Sequence, residues 1–432
     1  MRRVLLIAFF FPPINVVGSV RPAKFAKFLP EFGWEPTVLT VDNFATRPTT
    51  MPVEISTDRI VRAEYPDPIG YWIKRLRGSP SSSARATESK PRKTMLYSLA
   101  RRMLDINVVR MPDRALTWYR PAVRHGLQLL SEQRFDAILS TSPPPTANLV
   151  ASTLSRRTGL PWLADFRDLW TMNHSFHRSQ PWQALEETFE RRVLRTATSL
   201  LTVSPALVSK LQSFTGKQAD VLTNGFDPDM ALQDAPPLSS KLTISYTGSL
   251  YAGKQDPSPL FEALCRLRDE RRLSSSELAV RFYGSDLGDL EDLIARYQIG
   301  DLVSHHDTVP YLESLRRQRE SAALLFLDWN DPLEPGVYSL KVLEYLGAGR
   351  PILAIGHRHD SLVNQLLVSC KVGQVLSSTA QVQAQLLVWL NEFRQNGRLT
   401  FQGDLAEIQK YSYRNLACQL AEKLDRVVDK NS

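Results

Sequence analysis

The sequence predicts an α/β protein: two doubly wound, Rossmann-like domains facing one another across a cleft. Three observations carry this. Short apolar segments alternate with stretches of helical periodicity along most of the 432 residues. The alternation halts at residues 231–240, around Pro236-Pro237, and then restarts as a second series. The nonpolar share, 43% without glycine, is enough to fill two full-sized cores.

The first unit opens on a continuous apolar strand at residues 4–10, the kind buried on both faces of a parallel sheet. Pro12 to Gly18 interrupts it. A helix follows at residues 19–29, with Phe25, Phe28 and Leu29 on its apolar stripe, and Gly33 ends it before a strand at 36–41. Residues 43–115 carry no clear alternation. Strands resume at 135–141, 161–166, 199–204 and 219–223, with helices at 146–157, 182–195 and 205–214. Ser204 and Pro205 open the last of these as cap and first residue. Asn224-Gly225 signals a turn. The second series places strands at 242–247, 278–283, 302–309, 323–327 and 351–355, then helices at 381–393 and 413–428. The expected domains are 1–235, 241–400, and a C-terminal helix at 401–432 that packs back on the first domain. In such sheets ligands bind beyond the carboxyl ends of the strands.

Composition excludes several classes. Three cysteines, Cys265, Cys370 and Cys418, with no CxxC, do not build a disulfide framework and fit a reducing compartment. No apolar run approaches the ~20 residues of a spanning helix. The eight-residue run 4–11 after Met1-Arg2-Arg3 stops at Pro12-Pro13 without a cleavage signature, so it reads as a strand rather than a leader. The net charge is +8, and residues 74–102 hold nine basic side chains against Glu88 alone, so this segment matches the whole excess. A local excess argues against nucleic acid, which needs a basic face on a folded domain, and for contact with an anionic membrane surface. Residues 90–106 have an amphipathic basic helical pattern. The alternative is a helix packed on its own domain with solvated lysines.

The most informative segment is residues 335–351, PGVYSLKVLEYLGAGRP. Ser339 is placed to cap a helix, and Gly349 and Pro351 to end it. A helix N-terminus attracts phosphate, and Lys341 in the first turn adds charge. Glu344 lies on the same face and could accept two hydrogen bonds from a ribose diol. The alternative is an exposed Lys341–Glu344 salt bridge.

This segment resembles the donor-site helix of the family 4 glycosyltransferases, retaining enzymes of the GT-B fold, and the resemblance extends over nearly the whole chain. Phe9 to Pro13 with Gly18 to Arg21 is similar to the family's first loop. Ser142-Pro143-Pro144-Pro145 and Ala164-Asp165-Phe166-Arg167-Asp168-Leu169-Trp170 resemble a bacterial surface-polysaccharide branch. Thr223 to Asp227 resembles the loop before the linker, and Ser245 to Leu250 with Lys254 the first donor-domain loop. The resemblance implies transfer of a sugar from a nucleotide-sugar to a lipid-linked or polysaccharide acceptor, with retention and without a bound metal or other cofactor; together with the basic segment 74–102 it predicts action on the cytoplasmic side, peripherally at the plasma membrane. It implies that Lys254 and Lys341 hold the pyrophosphate, with Gly248 and Ser249 in the same loop. Glu344 would hold the ribose, Gly18 would let the first loop approach the donor, and Tyr283, Gly284 and Val309 would flank the base.

Three positions depart from the family. Its first glutamate, eight before Glu344, is Gly336 here, with Glu334 nearby. Ser249 stands where arginine is common. Arg167 stands where many members have histidine, and a guanidinium cannot act as a base. A carboxylate acting on the acceptor would be Asp165 or Asp168; the alternative is a salt-bridge cluster of Asp165, Arg167 and Asp168. These departures keep two other readings open: an inactive relative that binds partners in glycan assembly, and a nucleotide-sugar 2-epimerase. His174 and His177 have metal-ligand spacing but no third ligand. His305, His306, His357 and His359 read as loop or strand-end residues. No P-loop, GxSxG or GxGxxG is present.

Overall fold

The computed structural model describes residues 1–42, 49–66, 111–173, 180–231, 239–251, 253–285, 287–329, 339–358 and 360–430. The basic segment 74–102, the helical pattern at 90–106, His174, His177, His359, Glu334 and Gly336 lie outside them.

Thirteen strands among the described residues form two parallel sheets. The first takes β1 (Arg2–Ala8), β2 (Trp34–Val41), β3 (Ile60–Ala63), β4 (Ala137–Ser142), β5 (Trp162–Phe166), β6 (Ser199–Thr202) and β7 (Ala219–Val221), in the order β3-β2-β1-β4-β5-β6-β7. The second takes β8 (Leu242–Thr247), β9 (Leu278–Tyr283), β10 (Val303–His306), β11 (Ala323–Leu327), β12 (Ile352–Ile355) and β13 (Gly373–Leu376), in the order β10-β9-β8-β11-β12-β13. Each order reverses direction beside its first strand, at β1/β4 and at β8/β11. This is the doubly wound GT-B architecture, and loops beyond those reversal points form the binding crevice.

β1 shows why the strands are continuously apolar. Leu5 and Ile7 enter one core layer and Val4, Leu6 and Ala8 the other, all fully buried. The chain leaves the strand two residues before the sequence predicts: Phe9 turns its carbonyl to the Thr40 hydroxyl at 2.9 Å. The strand expected at 302–309 likewise ends at His306. Elements with no counterpart in the sequence reading include β3, β13 and the Tyr119–Glu132 helix. β3 and β13 are four residues each at sheet edges. The helix buries Ala122, Gly126 and Leu129, two of which carry little hydrophobic signal.

The closing helix, Tyr413–Asp429, packs on the first sheet's core. Leu416, Leu420 and Leu424 are buried there beside Phe25 and Phe28, and Arg2 pairs with Asp425 at 2.6 Å. The crossing is made at Phe226, whose carbonyl accepts from Tyr413 N at 2.8 Å and whose N–H donates to Tyr411 O at 3.1 Å. The Phe226 ring lies where a Cβ on Gly347 would stand, 2.7 Å away, so only glycine lets the Leu340–Ala348 helix seat on it. Among the described residues no helix is long and apolar enough to cross a membrane.

Candidate functional site

The second sheet's crevice is built around the Leu340–Ala348 helix. Ser339 stands at its N-cap, but its hydroxyl makes no capping hydrogen bond, and Gly349 ends it in a left-handed conformation at φ +63°. Lys341 projects from the first turn over the Tyr246 ring, with Nζ 3.5 Å from the ring centre and 3.5 Å from the Ser249 carbonyl. It has no carboxylate within ion-pair reach among the described residues. Lys341 and Glu344 share a face without pairing, which replaces the exposed salt bridge as the alternative. Burial pulls the Lys341 ammonium down to about 7, opposed by Glu344. Burial pushes the Glu344 carboxyl up to about 7, opposed by the Tyr311 hydroxyl, Lys341 and Lys24. A half-buried cation over an aromatic face, with no counter-ion, is suited to an incoming anion.

The loop after β8 lies against Lys341. Gly248 has φ +105°, and a Cβ there would stand 3.3 Å from Lys341 Cε. Its N–H donates to the Tyr283 carbonyl at 2.8 Å. Gly284 meets it backbone to backbone: a Cβ on Gly284 would stand 2.6 Å from the Gly248 carbonyl oxygen. Gly248, Ser249, Gly284 and Lys341 are therefore one contiguous surface. Gly284→Ala must displace backbone rather than a side chain. It is expected to weaken nucleotide-sugar affinity by at least ~10-fold while the protein stays folded, checked by calorimetry beside a melting curve. Lys254 lies further out, with Nζ 4.6 Å from the Trp329 ring centre. Tyr283 stacks on His306, ring centres 4.8 Å apart, and Val309 is half-buried beyond the end of β10.

On the first sheet, Arg167 joins two loops. Its guanidinium donates to the Gly18 carbonyl at 2.6 Å, to the Ser142 carbonyl at 3.3 Å and to the Pro143 carbonyl. A Cβ on Gly18 would stand 2.9 Å from Arg167 Nη1. The freedom that Gly18 supplies thus accommodates Arg167 itself.

Asp165 requires a correction. It is 2% exposed and receives Arg21 in bidentate form, Nε to Oδ2 at 2.9 Å and Nη2 to Oδ1 at 2.8 Å, with the Thr141 hydroxyl also donating to Oδ2. A carboxylate buried and paired this way is committed to Arg21 and shielded from solvent, so it is poorly placed to take an acceptor's proton. Asp165 is a positioning residue, and its partner is Arg21 rather than Arg167, so the three-residue cluster given as the alternative does not form among the described residues. Asp168 is exposed and has no ion pair among the described residues. Arg21 also donates to the Leu222 carbonyl at 2.9 Å and the Thr223 carbonyl at 2.5 Å. Sequence reasoning quoted Arg21 only as part of a loop. Its signal was a cation four residues before Phe25 on an apolar helix face, a spacing that demands a buried partner.

Among the described residues no group of three or more His, Cys, Asp or Glu is placed to hold a metal ion. His305 and His306 end β10.

Residues 19–225 match the family model described as a glycosyl transferase 4-like domain. No curated protein matches the chain in sequence. Solved structures similar in fold include sucrose-phosphate synthase from Thermosynechococcus elongatus, at 13% identity and TM-score 0.59, covering 100% of both chains. The Anabaena protein HepE in complex with UDP and glucose is similar at 12% identity and TM-score 0.60, covering 99% of this chain and 100% of that one. The lipopolysaccharide outer core galactosyltransferase WaaB, apo form, is similar at 12% identity and TM-score 0.52 over 100% of both. Family match and architecture agree with the resemblance read from the motifs: residues 19–225 match a glycosyl transferase 4-like domain, and the chain as a whole has the GT-B fold of these structures.

Proposed function

We propose that the protein transfers a hexose-type sugar from a nucleotide-sugar to a lipid-linked or polysaccharide acceptor, with retention of configuration. The observation that carries this reading is the Lys341 ammonium, without a carboxylate partner among the described residues, beside the Gly248 and Gly284 backbones at the helix N-terminus. A diphosphate leaving group needs positive charge where its negative charge develops, and Lys341, Lys254 and the helix terminus supply it without a metal. Glu344 holds the ribose, and Tyr283 and Val309 flank the base. Asp168 is the carboxylate left free to meet the acceptor, and Arg167 holds Gly18 against the reacting end of the donor. The neighbour HepE, solved with UDP and glucose, supports a nucleotide-sugar as the donor class. The basic segment 74–102 lies against anionic lipid at the cytoplasmic face, next to a lipid-linked acceptor.

The test is calorimetric titration with UDP-, GDP-, dTDP- and CMP-linked sugars, with and without magnesium, in buffers of different ionisation enthalpy. At pH 8 the free Lys341 is mostly neutral and Glu344 mostly ionised, so binding a diphosphate draws a proton onto Lys341. At pH 6 Lys341 is charged and Glu344 mostly protonated, so binding a ribose releases a proton from Glu344. Net uptake at pH 8, turning to release at pH 6, is expected from the two values near 7. Binding without proton exchange at either pH, or binding only with magnesium, counts against this site; no binding of any nucleotide-sugar counts against the donor reading.

A further inference from the structure

The edge of the second sheet carries a groove that the donor reading does not use. The register pairs Ser304 with Arg281 and His306 with Tyr283, so these four side chains stand on one face of β9 and β10. The Tyr311–Glu320 helix covers β8 on that face and stops short of the edge. The resulting open groove has a volume of about 400 Å³, within the range of small-ligand sites. Its inner wall is Arg317, whose guanidinium lies 5.9 Å from the Tyr283 ring centre.

The floor is an aromatic platform. The Tyr283 and His306 rings stack with an interplanar angle of 19°, and His306 is exposed, so its outer face is open. Ser304 Oγ lies 3.0 Å from His306 Nε2 and fixes the ring's orientation. The charge balance is positive. Arg281 is half-buried and, among the described residues, has no ion pair or hydrogen bond to its guanidinium. Of the nearby acids, Glu313 and Glu320 pair with Arg317 at 2.7 and 3.1 Å, and Asp301, which also lines the groove, lies 3.8 Å from Arg268. Burial holds the His306 imidazole below its usual range, helped by Arg281, Arg317 and His305. An unpaired guanidinium beside a flat, open ring recognises a molecule that combines an anion with a ring bearing an apolar face.

We propose that this groove is a second binding site, separate from the Lys341 surface, for an acidic saccharide: Arg281 takes its carboxylate or phosphate, and the His306 face takes the adjoining sugar ring. Only Tyr283 is common to the two sites, and the proposal does not depend on the transfer reaction. Protonation of His306 adds a charge, so binding tightens as pH falls. The groups facing His306 are Arg281 and Tyr283 from β9, Arg317 from the neighbouring helix, and Ser304, His305 and Asp307 from its own segment. His305 titrates higher than usual, because the Gly284 carbonyl and Glu291 hold its proton.

The experiment titrates the full-length protein with a galacturonate tetrasaccharide, a neutral maltotetraose and inorganic phosphate, by calorimetry and by histidine NMR. Saturable binding of the galacturonate is expected, ~10-fold or more tighter than the neutral tetrasaccharide or phosphate, with the His306 resonance titrating at higher pH when bound. Arg281→Ala is expected to lose ~10-fold or more in affinity with an unchanged melting curve, and Arg281→Lys, which keeps the charge without the fork, to fall between. Should Arg281→Ala unfold, Arg281→Lys and the His306 shift decide. Binding of phosphate as tight as that of the acidic saccharide would reassign the groove to a free anion. Equal affinity for the neutral sugar, an unchanged affinity in folded Arg281 variants, displacement by a nucleoside diphosphate, or absence of saturable binding overturns the proposal.

Discussion

Lys341→Ala is expected to lower kcat/KM for sugar transfer by ~10²–10³-fold, the loss that follows removal of one group aimed at developing charge in a shielded site. The melting temperature is expected to hold or rise. Burial sets the folded-state value of Lys341 near 7, below its ordinary one. Between that value and the ordinary lysine range, the unfolded chain binds a proton that the folded chain does not, so folding works against this side chain at neutral pH. Truncation removes that cost together with the function. A steady-state assay with the responding nucleotide-sugar, run beside a thermal melt, separates the two. Near-wild-type transfer by the folded variant would remove Lys341 from the donor site.

Asp165→Ala is expected to act oppositely, on stability first. Arg21 and Asp165 are 1% and 2% exposed and bonded in bidentate form. Removing the carboxylate leaves a buried guanidinium facing the Thr141 hydroxyl without its counter-charge, at a cost of about 3–5 kcal/mol. For a domain of this size that corresponds to a melting temperature roughly 10 °C lower. Loss of activity should track loss of folded protein, because Asp165 is buried and committed to Arg21. A stable Asp165→Ala protein with abolished turnover would return Asp165 to the reacting centre. Arg21 also holds the Leu222 and Thr223 carbonyls, which lead to Phe226 and the contact with Gly347. The pair thus anchors the segment on which the two domains meet.

Much of the frame was readable in the residues because it rests on local rules. The unbroken apolar run through Leu5, Leu6 and Ile7 meant a strand covered on both faces. Ser204-Pro205 opened a helix, with the Ser204 hydroxyl accepting from Leu207 N. Short edge strands broke the rule. β3 and β13 have too few residues to build a pattern, and Gly373 tolerates no Cβ because the Ile352 carbonyl would stand 2.3 Å from it. That constraint comes from a strand twenty-one residues away, outside any local window.

The site divides along the same line. Spacing along one helix put Lys341 and Glu344 on a common face, and family-like motifs in order put Gly18 at the start of the helix after β1 and Gly248 and Gly284 at strand ends. These are properties of adjacent residues and of connection order, so the sequence by itself determined them. Which groups are spent and which stay free was decided only by tertiary structure. Asp165 and Asp168 are three residues apart and chemically identical. One is sealed by Arg21, 144 residues away, and the other faces solvent. Among the described residues, Lys341 is left without a counter-ion because Tyr246 and the Gly248 loop occupy its surroundings, and Arg281 is left without an ion pair because Glu313 and Glu320 turn to Arg317. Charge pairing depends on distance in space and on burial, and a chain's order along its length fixes neither.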